Sequence, residues 1–328
     1  MMNTYKAIKF SQFQIFIFVL VALVSAGNSA QTNHDVSAEM VESWMTELSN
    51  WGRWGDDDQF GALNLITPEK IIAAARLVQS GVSVSLAHNY SVVSGQSAQP
   101  AFDRQMTTID VPGEFAMERI SFSYHGSIHS HLDSLCHMAY KGEMYNGFSK
   151  SEVTDAGCQK LAITDVKQGV VTRGILMDIA RLKGVDYLPP GTPIYVEDLE
   201  AWERIAGIKV GAGDVIFVRT GRWATPPSAG PGSAGLHASV APWLRQRDIA
   251  MLGGDYANDV TPSGVEGNFL PIHQLTLVAM GIRLFDNLDL EALAAEAARQ
   301  QRWEFLFMAA PIPVTGGTGS PMNPIAIF

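Results

Sequence analysis

Between His125 and His137 the chain reads His-Gly-Ser-Ile-His-Ser-His-Leu-Asp-Ser-Leu-Cys-His, placing four of its eight histidines and one aspartate within thirteen positions. Neutral imidazole and carboxylate are donors that Zn²⁺ and Mn²⁺ accept, and donors this close in sequence need little further folding to converge. The density points to a site for a divalent cation. The plainer alternative is a strand whose solvated face tolerates histidine. A lone histidine favours that alternative; His-x-His-x-Asp with a fourth histidine beside it favours the cation.

Position by position, the odd residues from Ser121 to Asp133 are Ser121, Ser123, His125, Ser127, His129, His131 and Asp133, while the even ones include Phe122, Tyr124, Ile128 and Leu132. Period-two alternation predicts a strand with one polar and one apolar face. His129, His131 and Asp133 then project from one side, but residues two apart lie about 7 Å apart along a strand. For three donors to share an ion, the strand must bend or end near Asp133. The less alternating Ser-Leu-Cys-His-Met run provides such an end and puts His137 about one turn further on.

The elements around this segment predict a mixed α/β core. Thr67-Pro68 followed by residues 69 to 79 and closed by Gly81 has the capping hydroxyl, first-turn proline and terminal glycine of a helix. Residues 82 to 86 alternate as a strand. Residues 174 to 179 and 214 to 219 are short apolar runs rich in Val and Ile, expected as buried strands. Helices are expected over 196–205, 240–247 and 288–300, and a strand over 249–252. Strands alternating with helices give an α/β fold, a mixed-sheet core with flanking helices. Residues 226–235 and 316–324 are expected as surface loops, and residues 31–50 as a loosely ordered lead-in. Asp56 to Asp58 read as a solvated acidic turn. Asp255, following a predicted strand, stands where function often collects, although a turn aspartate accounts for it nearly as well.

Lys6 and Lys9, an apolar run from Phe13 to Val24 and a small-residue tail to Ala30 have the pattern of a secretory signal peptide, cut after Ala26 or Ala30. A membrane anchor needs about 20 uninterrupted apolar residues, more than this run offers. The expectation is an exported, periplasmic or secreted protein with no membrane attachment after processing. Residues 1–30 hold two lysines and no acid, so the remainder carries 21 basic and 33 acidic side chains, a net of −12. That balance disfavours nucleic acid and anionic membrane as partners. Cys136 and Cys158 do not make a disulfide scaffold, and the expectation for both is small buried apolar side chains.

Trp54-Gly55 with Asp57-Asp58, the run from Gly61 to Glu69, the histidine cluster with Ala139 to Gly147, Gly213-Asp214 to Thr220-Gly221, and Thr318-Gly319-Ser320-Pro321 to Pro324 together resemble the putative cyclase family. That family includes bacterial kynurenine formamidase and isatin hydrolase, and this chain is similar to its longer branch. The resemblance runs from about Trp51 to the C-terminus, and implies one cyclase-like domain over 51–328 of the swivelling α/β type. It also implies a metal-dependent hydrolase, with Zn²⁺ or Mn²⁺, that opens an amide, lactam, lactone or ester of a small molecule. A homodimer or homotetramer is implied as well.

The family signature His-x-Gly-Thr-His-x-Asp-x-Pro-x-His puts its second histidine on His131, its aspartate on Asp133 and its last histidine on His137. Its first histidine falls on Ser127, its glycine on His129, its threonine on Ser130 and its proline on Leu135. The third ligand is therefore open between His129, which shares the face of His131, and the fallback His125. Downstream, His273 and Asp286-Asn287-Leu288 resemble the family's later histidine and Glu-Asn-Leu element, which can supply a second metal position. The expected division of labour is His129, His131 and Asp133 on the ion, His137 as general base and then acid, and His273 protonating the leaving group or joining Asp286 on a second ion. Two rivals are an exported metal-binding protein without catalysis and a serine-type hydrolase; the chain contains no Gly-x-Ser-x-Gly elbow.

Overall fold

The computed structural model describes residues 34–90, 102–107 and 115–328; the expected signal segment lies outside the described residues. The described chain from His34 onward forms one compact unit. Its frame is a nine-stranded mixed sheet. In chain order the strands are β1 (Ser83–Ser85), β2 (His131–Asp133), β3 (Val170–Asp178), β4 (Val215–Arg219), β5 (Met251–Gly254), β6 (Arg283–Asp286), β7 (Glu304–Ala309), β8 (Gly319–Pro321) and β9 (Ile325–Ile327). Across the sheet the order is β1-β9-β7-β3-β4-β5-β6-β2-β8.

The central strands β3, β4, β5 and β6 run parallel, and their apolar side chains are buried on both faces. This is the burial that continuous Val/Ile/Leu runs demand in a parallel sheet. Phe217, Phe285, Phe305 and Phe307 pack ring against ring at centroid distances of 4.9 to 6.3 Å across β4, β6 and β7. On one flank β7, β9 and β1 close the sheet antiparallel; on the other β2 and β8 do so.

The expected helices form, with local causes that can be named. Helix Pro68–Ala75 opens on Thr67, whose hydroxyl accepts from Lys70 N at 3.2 Å, with proline in its first turn. Helix Val196–Ala206 ends on Gly207 in the left-handed region, φ +66°. Helices Ala241–Arg247 and Glu291–Gln300 follow β4 and β6 in chain order. No helix among the described residues is long and apolar enough to cross a membrane.

Four expectations are corrected. The lead-in contains helix Ala38–Glu47, capped by the Ser37 side chain on Met40 N. The stretch from Ser121 to Asp133 is not one strand: a hairpin strand, Met117–Ser121, ends at its start, and β2 begins only at His131. Between them the chain bends, which releases the histidines from strict alternation. The segment 316–324 is not merely a loop, because Gly319–Pro321 forms β8 against β2. Finally, Cys136 and Cys158 are joined in a disulfide spanning 22 residues. Both are buried as expected, but the short hairpin Val153–Thr154/Gly157–Cys158 brings the second sulfur to the first.

Candidate metal centre

β2 lies between β6 and β8, with Asp286 opposite His131 and Gly319 opposite Asp133. Residues directly opposed across a pair share a face, as do alternate residues along one strand. His131, Asp133 and Asp286 are thereby aimed the same way by register alone. Gly319 leaves the room they need: a Cβ there would meet Leu132 O at 2.5 Å and His125 Cε1 at 3.0 Å. His125 arrives from the irregular stretch before β2, His137 from the turn after it, and His273 from the helical segment starting at Pro271.

Asp133 is the hub. Its Oδ1 is 3.1 Å from His125 Nδ1 and 3.5 Å from His131 Nε2, and its Oδ2 is 4.0 Å from both His137 Nε2 and His273 Nε2. His273 Nε2 is also 3.3 Å from Asp286 Oδ2. Two groups have donor atoms close enough to hold a cation, within 4.8 Å of one another: His131, Asp133 and Asp286, all buried, and His125, Asp133 and His137. Asp133 belongs to both.

The donors are held from behind. His131 Nδ1 donates to His129 O at 2.8 Å, because a carbonyl only accepts, and this leaves the Nε2 lone pair facing Asp133. His125 Nε2 meets Thr318 Oγ1 at 3.0 Å, while its Nδ1 and Asp133 Oδ1 are buried and lack any well-directed hydrogen bond. Asn258 Nδ2 donates to Asp286 Oδ1 at 2.7 Å, and Asn287 Nδ2 donates to Gly126 O and His129 O. His273 Nδ1 donates to Asp259 Oδ2 at 2.6 Å, and the same carboxylate accepts from the backbone N–H groups of Ile272 and His273. Buried imidazole nitrogens and carboxylate oxygens gathered this closely suit a divalent cation, and imidazole with carboxylate is the donor chemistry such ions take.

Burial by itself raises the Asp133 carboxyl, yet His137, His125 and His131 outweigh it and hold the group below the usual carboxylate range. Burial drives the His137 imidazole below the ordinary histidine value, with Asp133 opposing. For His273 burial also pushes downward, but Asp286 and Asp259 prevail and keep it well above that value. The two histidines flanking the hub are thus shifted in opposite directions.

Of the residues singled out in the sequence, His131, Asp133, His137, His273 and Asp286 come together here. His129 does not: only its carbonyl reaches the cluster, and its ring stands among Tyr90, Phe102 and Phe122 at centroid distances of 5.2 to 6.4 Å. The bend before β2 turns it away and carries the fallback His125 inward. Asp58 serves a turn, accepting from Gly61 N, Asn64 Nδ2 and Tyr145 Oη. Asp255 also serves a turn, accepting from the backbone N–H groups of Thr220, Gly221 and Arg222 and from the Thr220 hydroxyl, with its carboxyl pushed up to about 6 by burial. Asp259 and Asn258 are not singled out in the sequence, and Thr318 figures there only within a motif, without its contact to His125. Asp259 stands 14 residues before its partner His273, a separation with no periodic signature.

Residues 73–258 match the family model described as putative cyclase. The solved structure of a novel cyclase is 33% identical, with 85% of this chain and 99% of that one covered and a TM-score of 0.78. Isatin hydrolase A from Labrenzia aggregata, bound to benzyl benzoate, shares the fold at 17% identity, with 79% and 97% covered and a TM-score of 0.53. A predicted metal-dependent hydrolase from Bacillus stearothermophilus does so at 16%, with 75% and 97% covered and a TM-score of 0.50. No curated protein matches the chain.

Proposed function

The chain belongs to the putative cyclase family, and from that premise we propose that it is a metal-dependent hydrolase of a small acyl compound, an amide, lactam, lactone or ester. The observation that carries the reading is the convergence of His131, Asp133 and Asp286 on one buried point, with His137 and His273 at its edge. Structural relatives described as isatin hydrolase and metal-dependent hydrolase support the reaction class.

We assign the cation, Zn²⁺ or Mn²⁺, to His131, Asp133 and Asp286. When bound, it supplies Lewis acidity, activating water and polarising an acyl carbonyl. The protein's own groups do the rest. His137, its side chain 34% exposed and its pKa lowered, is unprotonated near neutrality and takes the proton of the attacking water. His273, its Nδ1–H held by Asp259, is placed to deliver a proton to the departing nitrogen or oxygen. Environments that drive two titratable groups apart in pKa are how one site keeps a base and an acid at one pH. His125 stacks on His137 at 4.2 Å and 12°, which fixes the base's ring.

The test is hydrolysis of an aryl-formamide, ester and lactone panel with elemental analysis of the same samples. His131→Ala should lose ion and turnover together, while His137→Ala should keep the ion and lose turnover. A chelator-treated protein that hydrolyses the panel unchanged overturns the assignment. A protein that binds the ion but turns over nothing supports the metal-binding alternative.

We also propose that the protein is exported, since the N-terminal pattern and the disulfide agree with an oxidising compartment. We propose a homodimer or homotetramer too. The hairpin Asp103–Thr107/Met117–Ser121 presents Met106, Met117 and Ile120 to solvent, apolar surface of the kind a second copy buries. Light scattering of the purified protein checks this.

A further inference from the structure

Arg222 stands apart from every other arginine that is not fully exposed among the described residues. Arg173, Arg219, Arg245 and Arg247 pair with carboxylates, and Arg283 and Arg302 donate to backbone carbonyls. The Arg222 guanidinium does neither, and its Nε is buried without a hydrogen-bond partner. It lies over the Tyr256 ring at 4.9 Å, and its backbone N–H is fixed by Asp255 at 3.1 Å. It lines a cavity of about 620 Å³ together with Thr220, Thr225 and Ser233. At Gly232 this cavity adjoins a second of about 860 Å³ that Tyr256 lines.

No donor of the candidate metal centre lines either cavity, but hydrogen bonds tie both linings to the elements that carry it. Trp223, the next residue, donates from Nε1 to Leu288 O at 2.8 Å, and Asn287 N donates to Tyr256 O at 3.4 Å, so the Arg222 turn rests on the two residues after Asp286. Ser233 Oγ donates to Asp259 O at 3.3 Å, and Asp259 orients His273. In a chain of formal charge −10, an unpaired guanidinium beside a cavity is a local positive charge that an anion meets favourably.

We infer that Arg222 is the carboxylate-recognition residue of the site, and that the substrate is an acyl compound carrying a carboxylate rather than a neutral one. This rests on the hydrolase reading above. A guanidinium with a buried, unpartnered Nε matches a carboxylate in geometry and charge, and the Tyr256 ring packs against it.

The test titrates the purified metal-replete protein, Arg222→Gln and Arg222→Lys with benzoate, benzamide and inorganic phosphate in a calorimeter. Benzoate should bind the native protein more tightly than phosphate, lose affinity about tenfold or more in Arg222→Gln and recover part of it in Arg222→Lys, because an ammonium replaces the charge but not the fork. Benzamide binding should be the same in all three. Undetectable benzoate binding to the native protein, unchanged binding to Arg222→Gln, or tighter binding of phosphate overturns the inference. In hydrolysis, Arg222→Gln should raise KM for a carboxylate-bearing ester about tenfold, with kcat and the neutral ester unaffected. Absence of any hydrolysis defeats the hydrolase reading instead, and the calorimetry still decides the role of Arg222.

Discussion

Asp259→Asn should strip His273 of its proton-holding partner while leaving the cation donors in place. The carboxylate accepts three N–H groups: Ile272 N at 2.7 Å on Oδ1, and His273 N at 3.2 Å and Nδ1 at 2.6 Å on Oδ2. Asparagine can keep its oxygen on Ile272 N, but it then turns an NH₂ toward the other two donors. One charge-assisted bond and one backbone bond are lost, and the ring must accept at Nδ1, which removes the imidazolium. A hydrogen bond to a charged group contributes about 1.5 to 3 kcal/mol, or roughly 10- to 150-fold in a rate that depends on it. Groups that orient a metal-site histidine carry losses of about 10- to 100-fold. We expect kcat to fall within that range, at unchanged ion content, in the hydrolysis panel with elemental analysis alongside. Asp259→Asn turnover within about twofold of the native protein would refute the role given to His273.

Three further outcomes follow. His125→Ala should weaken ion retention or turnover, whereas His129→Leu should leave ion content intact, since the His129 backbone carbonyl, not its ring, supports His131; equal ion loss in both variants contradicts the placement. Cys158→Ala, or reduction of the native protein, should cost roughly 3 kcal/mol of stability in chemical denaturation, the chain-entropy value for closing a loop of 22 residues, and a midpoint that does not move contradicts it. Asp255, whose native carboxyl is raised to about 6 from 3.8, binds its proton more tightly folded than unfolded. Its contribution is therefore full below pH 3.8 and lost as pH rises through about 6. The native protein should gain on Asp255→Asn by roughly 2 kcal/mol between pH 7 and pH 4.5, and a difference independent of pH contradicts this.

The parallel core was legible because β3 and β4 are apolar runs that only a doubly covered sheet can bury, and the helices because caps such as Thr67 and Gly207 act locally. The hub was legible too, since His131 and Asp133 are neighbours on one short strand. What escaped depends on long-range pairing. The alternation from Ser121 onward is real in the sequence, but strand pairing ends at Ser121 and resumes at His131, and periodicity records nothing of that break. For this reason the His125 ring, and not that of His129, lies beside Asp133. Gly319–Pro321 reads as a turn by composition, and becomes a strand only because β2 offers it an edge. Asp259 and Thr318 reach His273 and His125 across 14 and 193 residues, and the disulfide depends on a two-strand hairpin too short to leave a pattern.

Asp133 is proposed as the carboxylate on which a divalent cation is held. Anomalous diffraction from crystals of the metal-replete protein tests it most directly. A peak is expected about 2.0 to 2.2 Å from Asp133 and from His131 Nε2 and Asp286, absent in Asp133→Ala. A peak elsewhere in the molecule, or one that persists in Asp133→Ala, contradicts it.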